Sequence, residues 1–316
     1  MASLPRRFAF AIALAAARGA AAGDDVPPEA VIATLPFVET SEPNRIIVDV
    51  APEGSPPLRL MLDTGAAHSV LTPLAARAAG ISVRKTKSTP YRRATRLGRD
   101  LQFDVDTRRS DTGSATGWEY GLLGGEFLAQ FVVELDFEAR VVRFLDPDAY
   151  RVPEAADAPD ETVMPIRVGG LRPVVTIAIG ERPVSVIFDT GSHLTAIISG
   201  NAARKLGIDP DLLPPYRVAH TVVGPMPLRL YAAPSFSVGP FGFGRAPVLV
   251  APAGWYGLAG ETDDSVIGCE AISRFRVRID YPHGRLWLRR TTTSLTLGGE
   301  PWEPADDATA PEPREE

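Results

Sequence analysis

The chain has 316 residues, enough for one large or two small cores, and a formal net charge of −6 at pH 7. Its 33 basic residues against 39 acids give no nucleic-acid footprint. With Cys269 as the only cysteine, a cysteine-rich metal site is excluded, and a chain this long can build its core without disulfides.

The chain opens on Arg6 and Arg7, a short apolar stretch from Phe8 to Ala17, and the small residues Ala20, Ala21 and Ala22 before Gly23. This three-part pattern reads as a cleaved signal peptide over 1–22, with a frayed or interfacial helix as the other reading. It implies export to the periplasm or the exterior, and the paired arginines are compatible with the twin-arginine route. Losing Arg6, Arg7 and Arg18 would take the net charge from −6 to −9. The stretch from Phe8 to Ala17 is too short to span a bilayer, and no other long apolar run occurs. Residues 23–43 read as an N-terminal extension. At the other end, 293–316 read as an acidic flexible tail, rich in proline and with little to bury.

Between these ends lies a repeat. Leu58, Leu60 and Leu62 alternate along a strand that runs into Asp63-Thr64-Gly65-Ala66, Ser69-Val70-Leu71, Ala75-Ala76-Arg77 and Gly80-Ile81. Val184, Val186 and Phe188 lead likewise into Asp189-Thr190-Gly191-Ser192, Thr195-Ala196-Ile197, Ala202-Ala203-Arg204 and Gly207-Ile208. Further on, Leu122-Leu123-Gly124 precedes Phe131 and Asp136, and Val266-Ile267-Gly268 precedes Phe275 and Asp280, with spacings of seven and twelve residues from each glycine. The chain therefore divides into a first lobe over 44–146, a proline-punctuated linker over 147–160 and a second lobe over 161–292. Period-2 alternation dominates both lobes, so the fold class is all-β. One short helix is expected in each: Thr72 caps the first and Gly80 ends it, Ser199 caps the second and Gly207 ends it.

An aspartate at the end of an apolar strand, followed by a hydroxyl residue and a glycine, is a carboxylate on a rigid mount with an open approach. Pseudo-twofold pairing of the two loops would bring Asp63 and Asp189 together. Two carboxyls that close hold one proton between them, so one can act as general base toward a water while the other donates. Such chemistry calls for no metal or organic cofactor. Ala66, unlike Ser192, offers no side-chain donor, so Asp63 is expected to be the less acidic partner. A third triplet, Asp111-Thr112-Gly113, has no apolar strand before it and no counterpart in the other unit, and reads as a turn.

These motifs resemble the active-site loops and supporting segments of the pepsin and retropepsin superfamily of aspartic peptidases, over roughly 44–290. With 126 residues between the two aspartates, the chain looks like two retropepsin-like units fused in tandem, a kind found in bacteria. The resemblance implies two pseudo-twofold-related β-barrel lobes with a cleft between them, in one chain acting as a monomer on a peptide or protein substrate. It implies catalytic roles for Asp63 and Asp189, a clasp between Thr64 and Thr190 across the lobes, and supporting roles for Gly65, Ala66, Gly191, Ser192, Gly124 and Gly268. A hairpin flap would lie within 84–103 in the first lobe, which offers Tyr91, and within 218–232 in the second, which offers Val223 and Gly224. The first of these segments is strongly basic, which reads either as a solvated loop or as attraction toward acidic peptides. Where retroviral enzymes carry acids after the motif, this chain has Ala67, His68, His193 and Leu194. The two histidines read as polar loop residues or as lining of the substrate groove. Cys269 reads as a small buried hydrophobe.

The function expected is that of an aspartic endopeptidase. An inactive peptide-binding module of the same fold is the alternative. Sugar-kinase and actin-like ATPases also use Asp-x-Gly, but they require alternating β and α segments that are absent from this sequence.

Overall fold

A computed structural model describes residues 26–39, 45–54, 56–78, 80, 91–105, 121–221, 224–255 and 265–291. The expected signal peptide, the tail and the Asp111 triplet lie outside these residues. The described chain is almost entirely β-strand with four short α-helices, arranged in three sheets. No described helix is long and apolar enough to cross a membrane.

Each lobe repeats one plan. In the first, the strand Leu58–Leu62 pairs antiparallel with Ile47–Val50 and parallel with Gly121–Leu123. In the second, Arg182–Phe188 pairs antiparallel with Arg172–Ile179 and parallel with Val266–Ile267. The alternation of Leu58, Leu60 and Leu62, and of Val184, Val186 and Phe188, puts one side of each strand into a common apolar core. The helix Pro73–Ala78 starts on Thr72, whose hydroxyl accepts from the Ala75 N–H at 3.1 Å. The helix Gly200–Lys205 starts on Ser199, which accepts from Ala202 in the same way. Gly80 and Gly207 follow these helices with φ of +71° and +80°, the left-handed turn that a glycine makes without steric cost.

The repeat begins earlier than the sequence pattern suggests. Val31–Pro36, inside the segment read as an extension, pairs antiparallel with Val141–Leu145. This is what Glu161–Pro165 does with Arg285–Arg290 in the second lobe. The short stretch shows no clean alternation, because it caps a sheet edge with mostly half-buried side chains. The linker is also anchored rather than free: Tyr150 and Val152 are buried, and the Val152 N–H donates to Asp280 at 3.0 Å.

One six-stranded sheet joins the lobes, because Val132–Asp136 of the first pairs antiparallel with Phe275–Asp280 of the second. Glu134 stands opposite Arg278 at its centre, and both side chains are fully buried. Arg278 donates to Glu134 at 2.5 Å and to the Tyr150 hydroxyl at 2.7 Å, and its guanidinium lies 4.3 Å from the Trp287 ring centroid. Arg276 and Arg143 complete the set around Glu134. Burial opposes the Glu134 charge, but Arg278, Arg276 and Arg143 outweigh it and hold the carboxyl below its ordinary value.

Candidate active site

The strands Leu58–Leu62 and Arg182–Phe188 deliver Asp63 and Asp189 to one place. Each backbone is fixed from the neighbouring strand: the Asp63 N–H donates to Leu123 at 3.0 Å and that of Asp189 to Ile267 at 2.9 Å. The threonines then cross. Thr64 N–H donates to the Thr190 hydroxyl at 3.1 Å and Thr190 N–H to the Thr64 hydroxyl at 3.0 Å. The Thr190 hydroxyl in turn donates to the Leu62 carbonyl at 2.7 Å, and the Thr64 hydroxyl to that of Phe188. All four groups are buried, so every donor has found its acceptor where water cannot supply one.

The glycines allow the carboxyls to meet. A Cβ on Gly65 would stand 2.4 Å from Asp189 Cγ, and one on Gly191 would stand 2.5 Å from Asp63 Cγ. Each glycine is thus the floor for the opposite carboxyl. Gly124 and Gly268 work one layer below. A Cβ on Gly124 would meet the His68 carbonyl carbon at 2.5 Å, and one on Gly268 the Leu194 carbonyl oxygen at 2.2 Å. The helices after these glycines hold the loops through backbone bonds, Gly125 N–H to Ala66 at 2.8 Å and Cys269 N–H to Ser192 at 2.7 Å. Cys269 is fully buried, its thiol points to the Thr190 carbonyl, and burial pushes its acidity far from the thiolate range.

Asp63 and Asp189 are hydrogen-bonded to each other and almost fully buried. Burial raises the pKa of Asp63, and the N–H groups of Ala66 and Gly65, both donating to Oδ1 at 2.9 Å, partly offset it. Burial also raises Asp189, and the charge on Asp63 raises it further, well above the carboxylate range. The backbone donors match in the two loops, since Gly191 N–H donates to Asp189 Oδ1 at 2.8 Å, and the charge of Arg172, which favours ionised Asp63, works against the order expected from Ala66 and Ser192. Ser192 Oγ lies against Gly268.

Three residues of the site escaped the sequence pattern. Arg172 reaches from the second lobe to donate to the Gly65 carbonyl at 2.7 Å, and its charge favours ionised Asp63. Arg45 occupies the matching place in the first lobe, two residues before Ile47 as Arg172 is two before Val174. Its guanidinium touches the Met61 sulfur at 3.1 Å. The spacings to the aspartates, 18 and 17 residues, carried the signal. The third is Glu126, which follows Gly124 as Glu270 follows Gly268. One Glu126 oxygen accepts from the Ser69 N–H at 2.8 Å and the other is buried with no partner among the described residues. Burial pushes this carboxyl up to about 7. Glu270 accepts from the Thr195 hydroxyl at 2.5 Å.

The flap expectations divide. In the second lobe, Pro215–Thr221 and Gly224–Ala233 form a hairpin over 218–232, with Gly224 opposite Thr221 and Val223 outside the described residues. In the first lobe, Tyr91 opens the strand Tyr91–Ala94, which pairs with Asp100–Val105. The turn between them docks against the body, with Arg96 N–H donating to Ala51 at 3.0 Å. Tyr91–Ala94 corresponds to the far half of Gly224–Ala233, since each pairs with a strand that also runs parallel to the one after the Asp loop. The turn within 91–103 is therefore not the counterpart of the second-lobe hairpin tip, and the rest of the expected segment, 84–90, lies outside the described residues. His68 and His193 are exposed.

Comparison with known proteins finds a family match over part of the second lobe. The family model described as aspartyl protease matches residues 175–271. Curated proteins return no match. Among solved structures, a retropepsin-like aspartic protease from Rickettsia conorii is 22% identical, covering 41% of this chain and 90% of its own, with a TM-score of 0.32. Basic 7S globulin from soybean is 12% identical, covering 81% of this chain and 94% of its own, with a TM-score of 0.44. The matched family segment runs through Asp189-Thr190-Gly191 and on past Gly268, so the second lobe is similar to the aspartyl protease family.

Proposed function

We propose that the chain is an aspartic endopeptidase whose dyad is Asp63 and Asp189, with an extended peptide bound in the cleft between the lobes. The observation that carries this reading is the pair of buried carboxyls, each seated on the other's glycine and joined by a hydrogen bond. Two such groups hold a single proton over a wide pH range. Asp63, whose charge Arg172 favours, is the ionised partner. It takes a proton from water as the water oxygen attacks the scissile carbonyl carbon. Asp189 gives its proton to the carbonyl oxygen, forming the tetrahedral diol. A proton passed to the amide nitrogen then lets the C–N bond break.

The hairpin of Pro215–Thr221 and Gly224–Ala233 supplies the flap of the second lobe. The substrate is a peptide or protein, one chain supplies both lobes, and the pattern over 1–22 supports export to the periplasm or exterior. The test is cleavage of a mixed peptide library across acidic to neutral pH by the wild type, Asp63→Asn and Asp189→Asn. Each variant is expected to lose at least about a hundredfold in rate. Undiminished cleavage in either variant overturns the dyad, and no cleavage by the wild type at any pH overturns the peptidase reading.

A further inference from the structure

Among the described residues, the loops beside the two aspartates have different neighbours. Beside Asp63, the fourth residue after the aspartate is Ala67, and Arg172 donates to the Gly65 carbonyl. Beside Asp189, the same position holds His193, and two guanidiniums from other segments act on it. Arg45 comes from the opposite lobe, at the start of the strand that leads to Ile47–Val50. Arg217 comes from the hairpin Pro215–Thr221. Its register partner is Leu228, and that of Ala219 is Met226. Cross-strand partners share a face, and Leu228 and Met226 are buried in a cluster with Leu194 and Ile197, just beyond the Asp189 loop. Arg217 is therefore on the hairpin face that turns toward that loop, with its guanidinium 5.3 Å from the Tyr216 ring centroid. Although His193 as a residue is exposed, the protein mass around its ring, and then Arg45 and Arg217, push its pKa down to about 4. It stays neutral while the two arginines stay charged.

We propose that Arg45, Arg217 and His193 form an anion-accepting subsite beside Asp189, so that the preferred substrate carries an Asp or Glu side chain at one position on one side of the bond that is cut. The inference rests on the peptidase reading above and narrows it to acidic peptides. A guanidinium fork binds a carboxylate with two parallel hydrogen bonds, and a neutral imidazole adds a further donor with no competing charge. The chain's own net charge of −6 does not forbid this. Charges more than about 8 Å away are screened at physiological ionic strength, whereas contact pairs are screened much less.

The test uses matched peptides with Glu or Gln at each position flanking the cut, with kcat/KM read for the wild type, Arg217→Glu and Arg217→Lys. At one position the wild type is expected to prefer Glu by about tenfold, a preference lost or inverted in Arg217→Glu and largely kept in Arg217→Lys. Equal cleavage of Glu and Gln peptides at every position, or a preference that survives Arg217→Glu, overturns the subsite. Calorimetric binding of the same peptides to the Asp63→Asn chain reads the subsite without cleavage. Tighter binding of a Glu peptide there, lost on adding Arg217→Glu, supports the subsite even if no peptide is ever cut, a result that would sink only the peptidase reading. Equal binding overturns the subsite on its own.

Discussion

Where the two lobes face each other, the same position holds Glu134 in the first and Arg278 in the second. Both lie in the strand that follows the bracing glycine, ten residues after Gly124 and Gly268. The two strands pair so that these equivalent residues meet. Two identical lobes would set like charges against each other here, fully buried. Fusing the lobes in one chain lets the position diverge into a complementary pair, which favours first-to-second lobe pairing over any first-to-first arrangement. The loops above show the opposite behaviour. Asp63 and Asp189, Thr64 and Thr190, and Gly65 and Gly191 are identical, because each must perform the same contact on its partner. Symmetry is kept where contacts are reciprocal and abandoned where it would oppose like charges.

The largest expected effect breaks the divergent pair. Arg278→Met leaves Glu134 with only Arg143 and Arg276, and should cost about 3–5 kcal/mol in chemical denaturation. A loss near zero would mean the lobes do not depend on this pair. The reciprocal contacts come next. Gly65→Ala and Gly191→Ala each force a methyl into the opposite carboxyl, and should cost about 1–3 kcal/mol each with loss of peptide cleavage. Matching effects in the two lobes support reciprocity, and a silent member would break it.

Glu126 and Glu270 sharpen the comparison through pH. The Glu126 carboxyl is raised in the folded state, so the fold binds its proton more tightly than the unfolded chain does. Its contribution to stability is fully present below the unfolded value near 4.5 and is lost as pH rises through about 7. Glu126→Gln should remove a decline of about 2–3 kcal/mol over that window, measured as Tm against pH. Glu270→Gln should leave the decline in place. The smallest effect belongs to Arg172. Arg172→Gln withdraws a charge that favours ionised Asp63, so the Asp63 pKa rises and the acid limb of the kcat/KM profile should move to higher pH, by less than about one unit. An unmoved limb would show that the N–H groups of Gly65 and Ala66 suffice.

Much of this was legible in the chain itself. Strand alternation, the caps at Thr72 and Ser199, and the doubled Asp-Thr-Gly with its bracing glycines are local features, fixed by side-chain period and backbone freedom. The strand Val31–Pro36 was not legible, because an edge strand with half-buried side chains leaves no period to read. The direction of the first-lobe turn within 91–103 was not legible for a related reason. A run of arginines marks exposure but not direction, and only the pairing of Tyr91–Ala94 with Asp100–Val105 shows where the turn points.

The sequence by itself determined the two lobes, the all-β class and the identity of the paired carboxyls, since each follows from a pattern repeated within a few residues. Tertiary structure alone decided that the charge of Arg172 acts on Asp63, which arginines stand over the site and where Glu134 finds its counter-charge. Those properties depend on groups more than a hundred residues apart. Distance and burial between such groups set the energies, and neither is written in local order.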